Sequence, residues 1–102
     1  MTTHYAFDGT FDKLISQPGR VVVDFYADWC GPCVSLGPIL EEGAKLGSYK
    51  LIKINCDEDS EGLADRFKVS GIPHVVVFQD GVELSDKGFT GNDQAKALAL
   101  RK

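Results

Sequence analysis

Apolar residues along this chain occur in runs whose spacing alternates between that of strands and that of helices. The most apolar run, residues 20–26, is rich in valine and aromatic side chains, which is typical of a strand covered on both faces. Residues 51–56 and residues 74–79 predict two further strands, and residues 4–7 predict a short first strand. Asp80-Gly81 is a hairpin signal that joins the strand at 74–79 to a last strand at 82–84.

The segment after the most apolar strand predicts the principal helix, residues 33–46. Its core-facing side chains are expected to be Leu36, Ile39, Leu40, Ala44 and Leu46. Pro38 lies inside the helix and is expected to kink it, because proline lacks a backbone donor and crowds the preceding turn. Gly47 suits the C-terminal cap.

Three shorter helices are predicted elsewhere: one after the first strand, one after an acidic segment, and one over residues 92–100. The side chains that mark the first two are Phe11, Leu14 and Ile15, and then Leu63, Ala64 and Phe67. The resulting order, β-α-β-α-β-α-β-β-α, predicts an α/β fold with a central mixed sheet of four to five strands and about four helices on both faces. Right-handed crossovers predict that the strands joined through helices are parallel, with an antiparallel hairpin at the end. At 102 residues, a single domain over 1–102 is expected.

Charge and cysteine content narrow the possible functions. The net charge of −4 and the absence of a Lys/Arg run disfavour nucleic acid or an anionic membrane as the main partner. No apolar run approaches the roughly 18 residues of a membrane span, and no signal peptide is expected at the N-terminus. Three cysteines, two of them too close together to staple a fold, favour a reducing, cytoplasmic location.

The strongest chemical signal is Trp29-Cys30-Gly31-Pro32-Cys33, at the predicted junction of strand and helix. A thiol with a pKa of about 8.5 is only about 3% thiolate at neutral pH, and a helix start increases that fraction. Because the thiolate is the attacking species, the pattern indicates a redox site. The alternatives are a static disulfide or half of a zinc site. His4, Cys56 and His74 are the only other soft ligands, and they form no second ligand pair.

A carboxylate interrupts the most apolar strand. Asp24 lies six residues before Cys30, and burial there is expected to raise its pKa. The alternative is an aspartate that faces water at a sheet edge. For Cys56, the interpretations are a small buried apolar residue or a site of regulatory oxidation.

These features together resemble the thioredoxin family. The resemblance rests on the Trp-Cys-Gly-Pro-Cys motif, on Val23-Asp24-Phe25 before it, and on Pro38, Ile72-Pro73 and Gly88 after it, and it extends over about residues 5–100. It implies a thioredoxin-like fold and a small cytosolic dithiol protein, without a cofactor, that carries electrons to disulfides in other proteins and maintains cell redox homeostasis. It also implies recycling by an NADPH-dependent thioredoxin reductase. By family resemblance, the substrates include peroxiredoxins, ribonucleotide reductase and methionine sulfoxide reductase.

The resemblance also implies residue roles. Cys30 is expected to be the nucleophile and Cys33 the resolving thiol. Asp24 resembles the buried acid that moves the proton of Cys33, and Lys53 resembles the family's lysine that faces this acid. A solvated lysine at a strand end is the alternative for Lys53.

A flat apolar surface around Cys30 is expected to bind substrates. Its members would be Trp29, Gly31, Pro32, Ile72, Pro73 and Gly88. Ile72-Pro73 resembles the family's cis-proline turn, whereas the alternative is a trans proline that starts a strand. Trp29 alone is equally compatible with a core position. A second class of function, a binding module in which redox cycling is secondary, also fits the scaffold.

Four residues depart from the pattern common in the family, and one of them is Val34, which follows Cys33 where a basic residue is common. Tyr26 stands where tryptophan is frequent, His74 follows Pro73 where threonine is common, and Lys87 replaces an apolar residue before Gly88. These differences bear on substrate preference, and His74 is expected to be neutral.

Overall fold

The computed structural model describes residues 2–84, which form a mixed sheet with helices on both faces. The strands are β1 (Thr2–His4), β2 (Arg20–Tyr26), β3 (Lys50–Asn55), β4 (His74–Gln79) and β5 (Val82–Glu83). The α-helices are α1 (Phe11–Ile15), α2 (Gly31–Lys45) and α3 (Leu63–Arg66), and a 3-10 helix covers Cys56–Glu58. The predicted α/β class is confirmed. The predicted helix at 92–100, Lys87 and Gly88 lie outside the described residues.

Strand β2 is at the centre of the sheet, whose order is β1-β3-β2-β4-β5. It is parallel to β3, and β3 is parallel to β1. However, β4 is antiparallel to β2 and therefore to β3, so the expectation that the strands joined through helices are all parallel is wrong for β3 and β4. The connection between them, residues 56–73, contains only the 3-10 helix and α3, whose four residues rise about 6 Å, whereas a six-residue strand extends about 20 Å. Because neither helix returns the chain along the length of the sheet, β4 starts at the edge where β3 ends.

The alternation of side chains along β2 builds one core on each face of the sheet. Val21, Val23 and Phe25 pack with residues of α1 and α3 on one face. Val22 packs on the other face with three residues of α2, namely Leu36, Leu40 and Ala44. Because both faces of β2 are covered, every side chain from 21 to 25 is buried, including that of Asp24.

Helix α2 ends at a glycine in the left-handed region. Gly47 has φ +80°, its N–H donates to the Ala44 carbonyl, and the N–H of Ser48 donates to the Gly43 carbonyl. This pair of hydrogen bonds is a Schellman motif, which confirms the predicted cap. Leu46 is exposed, contrary to prediction, because it follows the last helical residue.

The first strand is also displaced from its predicted position. It covers Thr2–His4 rather than residues 4–7, since Phe7 adopts a positive φ of 53° that ends the extended chain. Among the helices of residues 2–84, none has the length and apolar character needed to cross a bilayer.

Candidate redox site

The dithiol lies where β2 passes into α2. Cys30 is the N-cap residue of α2, with an extended backbone (φ −87°, ψ 105°), and its sulfur accepts a hydrogen bond of 3.2 Å from the N–H of Cys33. The helix therefore begins at Gly31, two residues before the predicted start. Pro32 occupies its first turn, where a missing donor carries no penalty. The positive end of the helix dipole is consequently directed at the Cys30 sulfur.

Cys30 and Cys33 are joined as a disulfide, with their Cα atoms 5.2 Å apart. Both residues are nearly buried, with exposed fractions of 5% and 4%. They pack with Ala27, Tyr26 and Ile72 in a small cluster of their own. The structure thus holds the two sulfurs within bonding distance at the mouth of the helix.

The Ile72–Pro73 turn lies against this disulfide. The peptide bond between the two residues is cis, as predicted from the sequence. The Ile72 carbonyl oxygen is 3.7 Å from the Cys30 sulfur. Because β4 starts directly after the turn and pairs with the end of β2, the sheet topology brings a polar backbone group beside the outer sulfur.

Trp29 is on the surface next to the disulfide, with 72% of the residue exposed. Its indole N–H donates to the Asp57 carboxylate, at 2.9 Å for the nearer oxygen. Asp57 belongs to the 3-10 helix after β3, and its own N–H is capped by the Asn55 side chain at 2.9 Å. Sequence reasoning missed this partner of Trp29. The acidic run after β3 was the available signal, because β2 and β3 are parallel and end at the same edge.

Asp24 lies in β2 with only 1% of the residue exposed, so the alternative of a water-facing carboxylate is wrong. It is on the α2 side of the sheet, between Val22 and Tyr26, and its neighbours in register are Lys53 and Val75. Within residues 2–84, neither of its side-chain oxygens has a hydrogen-bond partner. Burial raises the pKa of Asp24 from its ordinary 3.8 to about 6, while Lys53 acts to lower this pKa and Glu41 to raise it further.

Lys53 is directed inward, because only 12% of its side chain is exposed. Its Nζ atom is 4.0 Å from the Glu41 Oε1 atom and 4.6 Å from the centroid of the Tyr26 ring. The alternative of a solvated lysine is therefore wrong. Glu41, on α2, is a second charged neighbour of this lysine that the sequence analysis did not identify.

The remaining candidate residues are His74 and Cys56. Burial lowers the pKa of His74, which favours its neutral form, and the His74 ring meets the Phe25 ring edge-on at 6.1 Å. Cys56 is a half-buried free thiol whose pKa is raised, mainly by burial and then by Asp59 and Asp57. Residues 2–84 contain no cluster of three or more histidine, cysteine or acidic side chains arranged to hold a metal ion.

A disulfide-forming cysteine pair at a helix start, with a buried carboxylate in the strand that precedes it, defines a dithiol–disulfide oxidoreductase. Comparison with known proteins agrees. The thioredoxin family model matches residues 2–101. A thioredoxin of Mycoplasmoides gallisepticum is 40% identical over 98 residues, which cover 93% of this chain and 96% of the relative.

Solved structures give the same result. The oxidised thioredoxin of Plasmodium falciparum is similar with a TM-score of 0.78 and 30% identity, over 97% of this chain and 95% of that chain. A second similar structure concerns the thiol-resolving mechanism of yeast mitochondrial 1-Cys peroxiredoxin via glutathione/thioredoxin systems. Its TM-score is 0.77 and its identity 30%, over 95% of this chain and 89% of that chain. The chain belongs to the thioredoxin family. Its function is dithiol–disulfide exchange through Cys30 and Cys33.

The burial of Asp24 predicts how stability depends on pH. A folded-state pKa raised from 3.8 to about 6 means that ionisation of Asp24 opposes folding. The oxidised protein should therefore lose about 2 kcal/mol of unfolding free energy from this group as the pH rises from 4 to 7.5, most of it below pH 6. Asp24→Asn should remove this loss and stabilise the protein above pH 6, as measured by urea unfolding across that range.

The matched control is Asp28→Asn, which alters an exposed aspartate four residues along the chain. It should leave the pH dependence as in the unaltered protein. Equal behaviour of the two variants would mean that Asp24 is not the group responsible.

Proposed function

We propose that this protein reduces disulfide bonds in other proteins, with Cys30 as the attacking thiol and Cys33 as the resolving thiol. The single observation that carries the assignment of roles is the position of Cys30 as N-cap of α2, where its sulfur accepts the Cys33 N–H. An anion at this position is stabilised by the hydrogen bond and by the helix dipole. Cys33, in contrast, lies inside the first turn of α2. Its side chain points to the Cys30 sulfur and does not cap the helix.

The reaction consists of two exchanges. In the first, the Cys30 thiolate attacks one sulfur of a substrate disulfide, which forms a mixed disulfide and releases the other substrate sulfur as a thiolate. In the second, the deprotonated Cys33 sulfur attacks Cys30, which closes the Cys30–Cys33 disulfide and releases the second substrate thiolate. Two electrons pass to the substrate, its two thiolates take up protons, and the protein ends in the oxidised state described above.

Asp24 is the proposed acceptor of the Cys33 proton, directly or through a water. A carboxyl group with an ordinary pKa is a weak base at neutral pH, whereas burial brings the pKa of Asp24 to about 6. Asp24 lies on the sheet face that α2 covers, and Cys33 is in the first turn of that helix. Lys53, next to Asp24 in register, is the proposed supporting cation.

The proposed substrate-binding surface surrounds Cys30. Exposed Trp29, with Gly31 and Pro32 at the helix start, supplies an apolar face beside the sulfur. On the other side, the turn at Ile72 and Pro73 places backbone groups beside the sulfur, which suits hydrogen bonding to an extended substrate segment. The hydrogen bond from Trp29 to Asp57 supports this arrangement because it fixes the exposed indole. Gly88, the remaining proposed member, lies outside the described residues.

The proposal extends to partners and location. Disulfide-containing proteins and a reductase are the partners that membership of the family implies. We further propose that an NADPH-dependent thioredoxin reductase restores the dithiol and that peroxiredoxins are among the substrates, in line with the subject of the yeast structure. A cytoplasmic, reducing location suits a chain whose three cysteines comprise one redox pair and the free Cys56.

Cysteine variants test the assignment of the two thiols. In the reduction of insulin by dithiothreitol, Cys30→Ser and Cys33→Ser should both lose catalytic turnover. Only Cys33→Ser should accumulate a covalent mixed disulfide with insulin, detected by mass spectrometry, since it keeps the attacking thiol and lacks the resolving one. Cys56→Ser is the control and should retain full turnover. A mixed disulfide that forms with Cys30→Ser instead would reverse the roles.

The pH dependence of turnover tests the role of Asp24. Asp24→Asn removes the proton acceptor and should slow turnover about tenfold or more at pH 7, less than the roughly 10²–10⁴-fold of typical general-base effects because water can also take the proton. The deficit should shrink towards pH 9, where solvent hydroxide deprotonates Cys33. Asp28→Asn should match the unaltered protein throughout. If the profiles of the two variants superimpose between pH 6 and pH 9, Asp24 has no part in proton transfer.

A further inference from the structure

The position of Lys53 depends on helix α2 as well as on the sheet. Its Nζ atom is only 3.3 Å from the point that a Cβ atom on Gly37 would occupy. A real Cβ contact is rarely this short, so the ammonium group packs against α2 at a site where the helix has no side chain. Gly37 therefore allows Lys53 to lie in the space between β3 and the helix.

Glu41 lies on the same face of α2, one turn after Gly37. Its Oε1 atom is 4.0 Å from Lys53 Nζ, which is ion-pair distance, and 43% of the Glu41 side chain is exposed. The lysine thus extends from the interior strand β3 to a carboxylate at the rim of the helix. This contact places the ammonium group beside α2, with a carboxylate other than Asp24 at ion-pair distance.

The groups around Asp24 explain why the contact between Lys53 and Glu41 matters. On β3 Asp24 faces Lys53, and on α2 its charged neighbour is Glu41. Its neighbour on β4 is the apolar Val75, and on its own strand it is followed by Tyr26. The hydroxyl of nearby Tyr49 is already donated to the Leu40 carbonyl at 2.6 Å. Lys53 is therefore the one cation among the described groups that faces both carboxylates.

We infer that Glu41 is a positioning residue for the exchange reaction: it holds Lys53 at the rim of α2, in the space left by Gly37, so that Asp24 stays unpaired and able to accept a proton. This inference rests on the proposed role of Asp24. It assigns Glu41 an action through Lys53, without contact with the thiols or the substrate. When Glu41 loses its charge, Lys53 is released to pair with Asp24, and the like charge that opposes ionisation of Asp24 disappears. Both effects favour the ionised carboxylate.

The test compares Glu41→Gln with Glu42→Gln, its exposed neighbour on the same helix, which undergoes the same change of charge. The readout is the rate at which the reduced protein is oxidised by a small disulfide, measured from pH 5 to pH 9. Glu41→Gln should move the midpoint of the Asp24-dependent limb down by about half a pH unit to one unit. Glu42→Gln should move it by much less. Equal shifts in the two variants would overturn the inference, since a general change in charge would then suffice.

The same two substitutions in an Asp24→Asn background complete a double-mutant cycle. If Glu41 acts through Asp24, Glu41→Gln should cause no shift in this background. A shift that persists there would mean that Glu41 acts elsewhere. The cycle also separates the two proposals. An unchanged profile for Asp24→Asn alone removes the proton-transfer role and the Glu41 inference together, whereas a changed profile with no special effect of Glu41→Gln removes only the latter.

Discussion

The structure depends on one constraint, which is that a carboxylate is buried in its central strand. Asp24 is covered by α2 on one face of a sheet whose other face is also packed, and its oxygens have no hydrogen-bond partner within residues 2–84. Burial of a polar group without a partner is costly, and an ionised one more so. The unfavourable burial occurs at Asp24, the proposed proton acceptor, on the sheet face that α2 covers. Burial, which opposes ionisation, is also what makes the group a useful base near neutral pH.

The remaining parts of the site follow from how the chain enters and leaves the sheet. Strand β2 ends four residues before Cys30, the cap of α2, so the helix start lies at the carboxyl end of the central strand. The short helix α3 leaves the chain at this same edge, so β4 begins there with the Ile72–Pro73 turn against the outer sulfur. The 3-10 helix after β3 is at the same edge, and its Asp57 holds Trp29. Three separate segments thus converge on the disulfide because each starts or ends at one edge of the sheet.

The sequence predicted the parts of this arrangement that depend on local pattern. The valine-rich run gave β2 its bounds, Gly47 marked the end of α2, and the Trp-Cys-Gly-Pro-Cys motif identified the redox pair. What it missed depends on contacts between distant segments. The antiparallel direction of β4 depends on how residues 56–73 connect it to β3, and the contact of Glu41 with Lys53 results from the packing of α2 on β3. Such contacts have no periodicity or motif in the sequence, since they require the relative placement of two elements.

The most direct test of the central claim is a carbon-13 NMR titration of the Asp24 side-chain carboxyl in the oxidised protein. The buried, unpaired environment predicts a midpoint near pH 6 for its chemical-shift change. A midpoint near 3.8, the ordinary value for an aspartate, would contradict the account, because the carboxylate would then be solvated or paired and no better a base than a surface side chain.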